Sequence, residues 1–220
     1  MSDWITMRTF HESDGVEDWR VVGEGACAYF RTGSFAAGAR LVNAISELTG
    51  VDDHQPDVDL RYDGVIVRLI TVAPDYYGLS ERDLELARRI SAIARKLGVP
   101  AEPANVETVL VTIDAFDVPK VKPFWRAVLG YQDREDSPED LVDPRGRGPS
   151  IWFQKIDAPD PQVNRVHLDV WVPPDQAQAR IAAAIAAGGH LVTDKYAPAW
   201  WTLADAEGNV ADVATTMGRD

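Results

Sequence analysis

Asp52-Asp53-His54-Gln55-Pro56-Asp57, followed by Tyr62-Asp63-Gly64-Val65-Ile66-Val67-Arg68-Leu69-Ile70-Thr71-Val72, is the stretch on which the reading of the first half turns. The first piece is a polar loop. The second is rich in β-branched residues and puts Val65, Val67 and Leu69 on one face, which predicts a strand. Upstream, Ser34 can cap a helix in which Phe35, Ala39, Val42, Ile45 and Leu48 recur at three- and four-residue spacing, with Gly50 placed to end it. Downstream, Ser80 and Asp83 form a capping-box start in which Asp replaces the usual Glu or Gln. Leu86, Ile90, Ile93 and Leu97 give the stripe of that second helix, ending at Gly98. Arg8 to Gly15 is polar and aperiodic, and is expected to fray.

Working outward, Gly98 to Asn105 carries Pro100 and Pro103 without periodicity and separates two differently organised halves. The expected division is residues 1–98, a linker at 99–105, and residues 106–220. In the second half a strand at Thr108 to Ala115 leads through Asp117 and Pro119 into a helix with Val121, Phe124, Trp125 and Val128, ending at Leu129-Gly130. Short strands near Asp140 and at Ile151 to Ile156 follow. A second strand, Arg165 to Val172, leads through Pro173-Pro174 into the Ala-rich helix Asp175 to Ala187, then strands at His190 to Thr193, Trp200 to Ala204 and Val210 to Thr215. Sliding the first set by 57 residues lays Leu110 on His167 and Ile113 on Val170. Two β-α-β-β-β units are implied, so both halves are expected to be α+β.

Composition narrows the partners. The chain has 220 residues, 45% of them hydrophobic, and a formal net charge of -13. Apolar content is ample for ordinary cores, while that charge repels phosphate backbones and anionic membrane surfaces. Neither nucleic acid nor membrane is an expected partner. Cys27 is the single cysteine, which excludes an intrachain disulfide or a cysteine-built zinc site and suits a reducing, cytoplasmic setting. No run of about 18 apolar residues and no basic-then-apolar start is present.

The order of a Phe-containing helix, His54-Gln55-Pro56, Tyr62, the Val65 to Thr71 strand, and Gly78-Leu79-Ser80-x-x-Asp83-x-x-Leu86-Ala87 resembles pterin-4a-carbinolamine dehydratases. The resemblance covers roughly residues 20 to 97. It implies loss of water from a 4a-hydroxytetrahydropterin, a lyase reaction in which one proton goes to the departing hydroxyl and another leaves a ring nitrogen. Imidazole suits both transfers, since its ordinary pKa of about 6.5 keeps both states accessible. His54 falls on a family histidine and Asp83 on the family's helix-start Asp. Gln55 stands at the second position of the motif and Val72 where a strand-end histidine would follow Thr71. His54 and Gln55 are therefore the candidate catalytic pair, with Gln55 orienting rather than exchanging protons, and Asp57 is a candidate substrate contact. Two readings of His54 stay open, acid-base group or loop histidine paired with acidic neighbours. Asp83 has its own capping explanation, and Tyr76 and Tyr77 could stack on a flat ring.

The second half resembles the glyoxalase and bleomycin-resistance family, the vicinal oxygen chelate proteins. The supporting residues are Asp117, Phe124-Trp125, Leu129-Gly130, Asn164-Arg165-Val166-His167-Leu168-Asp169, and Asp205-x-Glu207-Gly208-Asn209 leading to Asp212. The resemblance implies a divalent metal in the cleft of a curled sheet, with His167 and Asp212 at ligand positions and Gln154 near a third, while Leu110 occupies a fourth and supplies no lone pair. Its metal-free competitor is a buried hydrogen bond between His167 and Asp212. Trp152, Trp171 and Trp200, on candidate strands, could wall a cleft for a planar small molecule, a pterin or another. Adjacent Trp200 and Trp201 must face opposite sides.

The expected function is thus a pterin-dehydratase-like lyase fused to a glyoxalase-like ligand domain, assembling as a homo-oligomer. The alternatives are a non-catalytic binding or resistance protein using the second half, or a metal-dependent lyase, isomerase or dioxygenase there.

Overall fold

The computed structural model describes residues 3–23, 25–48, 54–74, 76–119, 122, 126, 131–157, 166–186, 189–204 and 210–219. The chain divides into two compact units, Met1–Val106 and Glu107–Asp220.

In the first unit, β1 (Trp4–Ile5), α1 (Met7–Glu12), β2 (Arg20–Val21), β3 (Ala26–Arg31), α2 (Phe35–Ser46), β4 (Asp57–Leu60), β5 (Gly64–Leu69), β6 (Thr71–Ala73), β7 (Tyr76–Ser80) and α3 (Glu81–Lys96) follow one another. Four antiparallel strands lie in the order β2-β3-β5-β4, and a smaller sheet has the order β1-β7-β6. Alternation builds the core: Ala26, Ala28 and Phe30 of β3 and Val65, Val67 and Leu69 of β5 all point inward at 0% exposure. The helices α2 and α3 cover that face with Leu41, Ile45, Leu84, Ala87, Ile90 and Ala94, three- and four-residue spacings that give each helix one apolar stripe. Trp19 is buried with them, its indole N–H donating to Ser91 Oγ at 3.0 Å.

Three expectations for this unit need correction. The Arg8 to Gly15 stretch contains a helix, α1, because Thr6 caps it through the Thr9 amide and Phe10 is fully buried, so one aromatic anchors a segment whose composition is polar. The strand expected through Val72 breaks at Ile70, and its last residues enter the second sheet as β6. Phe35 is 57% exposed, and Gly38 joins Leu41 and Ile45 on the buried stripe of α2. Gly38 is there because a Cβ would meet Leu60 Cδ1 at 2.3 Å and Val65 Cγ2 at 3.3 Å.

The second unit holds β8 (Thr108–Ala115), β9 (Gln132–Arg134), β10 (Ser137–Val142), β11 (Ser150–Lys155), β12 (Val166–Trp171), α4 (Ala177–Ala186), β13 (His190–Thr193), β14 (Trp200–Ala204) and β15 (Val210–Ala214). They form one eight-stranded sheet in the order β13-β14-β15-β12-β8-β11-β10-β9. The centre is β12 antiparallel to β8, and on each side the next strand runs parallel, β15 beside β12 and β11 beside β8. That near-symmetric arrangement is the paired unit expected from the 57-residue offset. The expected helix around Val121 to Val128 lies mostly outside the described residues, as does the motif Asp205 to Asn209.

One face of this sheet is apolar and packs Ile113, Ala115, Ile151 and Phe153 in one cluster and Val170, Val213, Leu203 and Trp201 with Ala177 and Ile181 of α4 in another. Residues paired across strands share a face. The opposite face therefore carries Leu110, Thr112, Asp114, Trp152, Gln154, His167, Asp169, Trp171, Asp212, Thr202 and Trp200. Among the described residues, no helix is long and apolar enough to cross a membrane.

Candidate functional sites

In the first unit, His54 stands at the end of the loop before β4, and the helix α3 supplies its partner. His54 Nε2 lies 2.7 Å from Asp83 Oδ1, with the His54 side chain 15% exposed and Asp83 fully buried. The other oxygen, Asp83 Oδ2, accepts from the Ser80 amide at 2.8 Å, from Ser80 Oγ at 3.0 Å and from Thr71 Oγ1 at 2.7 Å. Asp83 is thus both the third residue of the α3 capping box and the acceptor for the imidazole. A carboxylate only accepts hydrogen bonds, so Nε2 is the donor in this pair.

Around this pair, Trp4 and Tyr76 stack with ring centroids 4.0 Å apart, on strands that join the same sheet as Thr71 and Ser80. The Tyr76 hydroxyl donates to Leu79 O, and burial, reinforced by the Asp83 charge, raises its pKa. Val72 is 59% exposed and pairs with Tyr77 across β6 and β7. Asp57 accepts from Arg68 Nε and Nη2 at 2.9 and 2.7 Å, one strand over, so this candidate substrate contact already has a cationic partner.

In the second unit, β12 and β15 bring His167, Asp169 and Asp212 together on the polar face. His167 Nε2 is 3.4 Å from Asp169 Oδ1 and 4.0 Å from Asp212 Oδ2, and ligand atoms of all three lie within 4.8 Å of one another. The neighbouring Asp169 carboxylate raises the His167 pKa against the opposing effect of burial. Burial raises those of Asp114 and Asp212. Among the described residues, Thr112 Oγ1, Asp114 Oδ1 and Trp171 Nε1 on this face are buried without a hydrogen-bond partner, and Asp169 Oδ1 has only the long 3.4 Å contact to His167 Nε2. Gln154 stands on the same face beside Asp114. Trp200 faces this side and Trp201 the apolar side, as alternation requires.

The donor set fits a divalent cation. One imidazole nitrogen and two carboxylates suit Zn²⁺, Fe²⁺ or Mn²⁺, and bonds of about 2.0–2.2 Å to one ion set neighbouring donors roughly 3 to 4 Å apart.

Comparison with known proteins agrees with this division. The family described as pterin 4 alpha carbinolamine dehydratase matches residues 6–93. A relative from Paracidovorax citrulli, which carries that dehydratase as a provisional name, is 33% identical over 82 residues, 36% of this chain and 69% of its own. Another so named, from Nocardia farcinica, is 35% identical over 78 residues, 36% of this chain and 80% of its own. Through its first unit the chain belongs to the pterin-4a-carbinolamine dehydratase family.

The glyoxalase-like domain family matches residues 110–214, so a glyoxalase-like domain follows the dehydratase-like one. A solved glyoxalase/bleomycin resistance protein/dioxygenase superfamily member from Vibrio splendidus is 16% identical, covering 50% of this chain and 99% of its own, at a TM-score of 0.33. Domains of both families generally bind small molecules.

Against the dehydratase family pattern, the structure joins His54 to Asp83, which sequence reasoning had kept as a cap. The signal was Ser80-x-x-Asp83 lying in the same ordered string as His54, but a short-range motif cannot report a partner 29 residues away. In the glyoxalase-like domain, Asp169 joins His167 and Asp212. Period-two spacing from His167 was the available signal for it.

Proposed function

We propose that the dehydratase-like unit is a working lyase on a 4a-hydroxytetrahydropterin, with His54 as its proton-transfer group and Asp83 as the residue that positions it. The observation that carries this reading is the 2.7 Å contact between His54 Nε2 and a carboxylate that is fully buried and held by three further hydrogen bonds. Such a carboxylate fixes the ring orientation and its protonated nitrogen, leaving Nδ1 as the atom that takes or returns a proton. Gln55 can orient the substrate. Val72, where another imidazole would stand, leaves His54 to serve both transfers in turn, which predicts a turnover slower than that of a two-imidazole site by about 10²–10⁴. The test is dehydration of a 4a-hydroxytetrahydropterin by purified protein against its His54→Ala variant. Equal rates would sink the assignment.

A second reading concerns the glyoxalase-like domain, and Asp169 Oδ1 favours it: a buried carboxylate oxygen with only the long 3.4 Å contact to His167 Nε2, beside Asp212. His167, Asp169 and Asp212 would hold a divalent cation, which supplies Lewis acidity toward a bound oxygen. Elemental analysis of protein never exposed to chelator or affinity metal tests this, with Asp212→Asn as control. Metal absent from both, and no Mn²⁺ uptake on titration, removes the reading. The protein is further expected to be cytoplasmic and a homo-oligomer, which fractionation and light scattering check.

A further inference from the structure

Arg219 reaches back over the polar face of the glyoxalase-like domain. Its guanidinium carbon lies 4.4 Å from the centroid of the Trp171 ring and 5.4 Å from that of Trp200. Its hydrogen bonds go to backbone carbonyls, Nε to Thr215 O at 2.9 Å and Nη2 to Ala199 O at 3.4 Å. Asp169 and Asp212 are close enough to act on its charge, yet neither is ion-paired with it. A planar N–C–N group with N–H donors along its edge is thus stacked on indole beside two carboxylates that it does not satisfy.

The surroundings lack partners of matching kind. Among the described residues, Asp169, 8% exposed, has at Oδ1 only the 3.4 Å contact to His167, Thr112, at 0%, holds an unbonded oxygen, and Trp171, at 8%, an unbonded N–H. Buried polar atoms without partners are rare, and each costs roughly 1–3 kcal/mol, so a set of them on one face indicates a ligand that completes them. That ligand must offer N–H donors to the carboxylates of this face, and it must be flat enough to lie on the Trp171 indole.

We propose that this face binds a planar cyclic guanidine, the 2-amino-4-oxopyrimidine edge of a pterin, with Arg219 as the chain's own stand-in that the ligand displaces. The amino and ring N–H groups face Asp169 and Asp212, and the ring takes the guanidinium's place over the face of the Trp171 indole. Naming a pterin rests on the dehydratase reading of the first unit; the guanidine edge rests on the second unit alone. The glyoxalase-like domain then receives or delivers the molecule on which the first unit acts.

Calorimetric titration of the full chain with pterin, and with its 2,4-dioxo analogue lumazine, tests this. The expected result is a second pterin site per chain that Asp169→Asn abolishes, that His54→Ala leaves intact, and that takes lumazine at least tenfold more weakly, because the missing amino group strands a carboxylate. Arg219→Ala, which removes no folded-core group, should tighten that site several-fold by freeing the indole. Saturating Mn²⁺ should weaken it, since both occupants draw on Asp169 and Asp212. One pterin per chain, unaffected by Asp169→Asn and lost with His54→Ala, overturns this proposal and leaves the first-unit reading standing. No pterin at all overturns this proposal, and the first-unit reading is then decided by its dehydration assay alone. Equal affinity for lumazine, or weaker binding in Arg219→Ala, overturns the guanidine-edge assignment.

Discussion

The imidazole of His54 and the carboxylate of Asp83, 29 residues apart in sequence, meet at 2.7 Å, and the same carboxylate closes the first turn of α3. Positioning of the site and capping of the helix therefore share one residue.

Asp83→Ala strands the Ser80 amide, Thr71 Oγ1 and His54 Nε2 together. A loss of about 2–4 kcal/mol is expected in urea denaturation with an unchanged m-value, from an absent cap and buried groups left unsatisfied. Asp83→Asn keeps a good capping oxygen and should lose less than half of that. Any dehydratase activity should nonetheless fall about as far in Asp83→Asn as in Asp83→Ala, since an amide does not hold the imidazole as a carboxylate does. Activity that tracks stability across the two variants would contradict a positioning role.

Gly38→Ala should destabilise the first unit even though alanine is the better helix former by about 1 kcal/mol. The new methyl would overlap Leu60 Cδ1, 2.3 Å away, and crowd Val65 Cγ2 at 3.3 Å, so Leu60 must leave its present rotamer or α2 must shift. A net loss of about 1–2 kcal/mol is expected from overpacking, read as a lower thermal midpoint.

Trp200→Ala and Trp201→Ala, adjacent on β14, should differ in kind. Trp201 packs with Val213, Leu203 and Ile181 against α4, so its loss should cost about 3 kcal/mol or more. Trp200 stacks on Tyr196 at 4.4 Å and sits under Arg219 on the polar face. Its loss should cost about 1 kcal/mol while changing ligand binding. Comparable destabilisation of both would mean the register of β14 is wrong.

Much of this architecture was legible because its signals are local. The stripes of α2 and α3, the Ser34 and Ser80 caps, and the period-two faces of β5, β11 and β12 each lie within a dozen or so residues. What escaped were features set by distant contacts. Phe10 makes a helix of a polar segment only because a core exists to receive it. The strand β2 is two residues long and gains its identity from pairing with β3, which in turn pairs with β5. His54, His167 and Asp212 are legible by motif, whereas the capping box around Asp83 and the period-two spacing of Asp169 do not show which distant side chain each meets, and Asp57 faces Arg68 across the β4–β5 ladder, a pairing no local pattern announces.

Asp143, between β10 and β11, offers a pH experiment of its own. Its carboxylate accepts from the amides of Arg145, Arg147 and Gly148 and from Arg145 Nε, and the Arg145 amide contributes most to holding its pKa well below the carboxylate range. Because the folded value lies below the unfolded one of about 3.9, its contribution is complete above that pH and disappears as pH falls through the folded value. The Asp143 carboxyl carbon shift should therefore stay at its ionised value down to about pH 3, and Asp143→Ala should speed amide exchange at Arg147 and Gly148 at neutral pH. A midpoint near 4 would refute the assignment.

Leu110 faces Asp169 directly across the central seam of β8 and β12, in the place that corresponds to a donor in the other repeat. Duplicated halves that share a seam keep their corresponding positions within reach of each other, so a change in one copy can be reversed by a single residue. Leu110→His would return a lone pair beside His167, Asp169 and Asp212 without moving a strand. The second domain is on this view a scaffold whose chemistry can be switched while its fold is held constant, one of its two copies carrying Leu110 where the other carries His167.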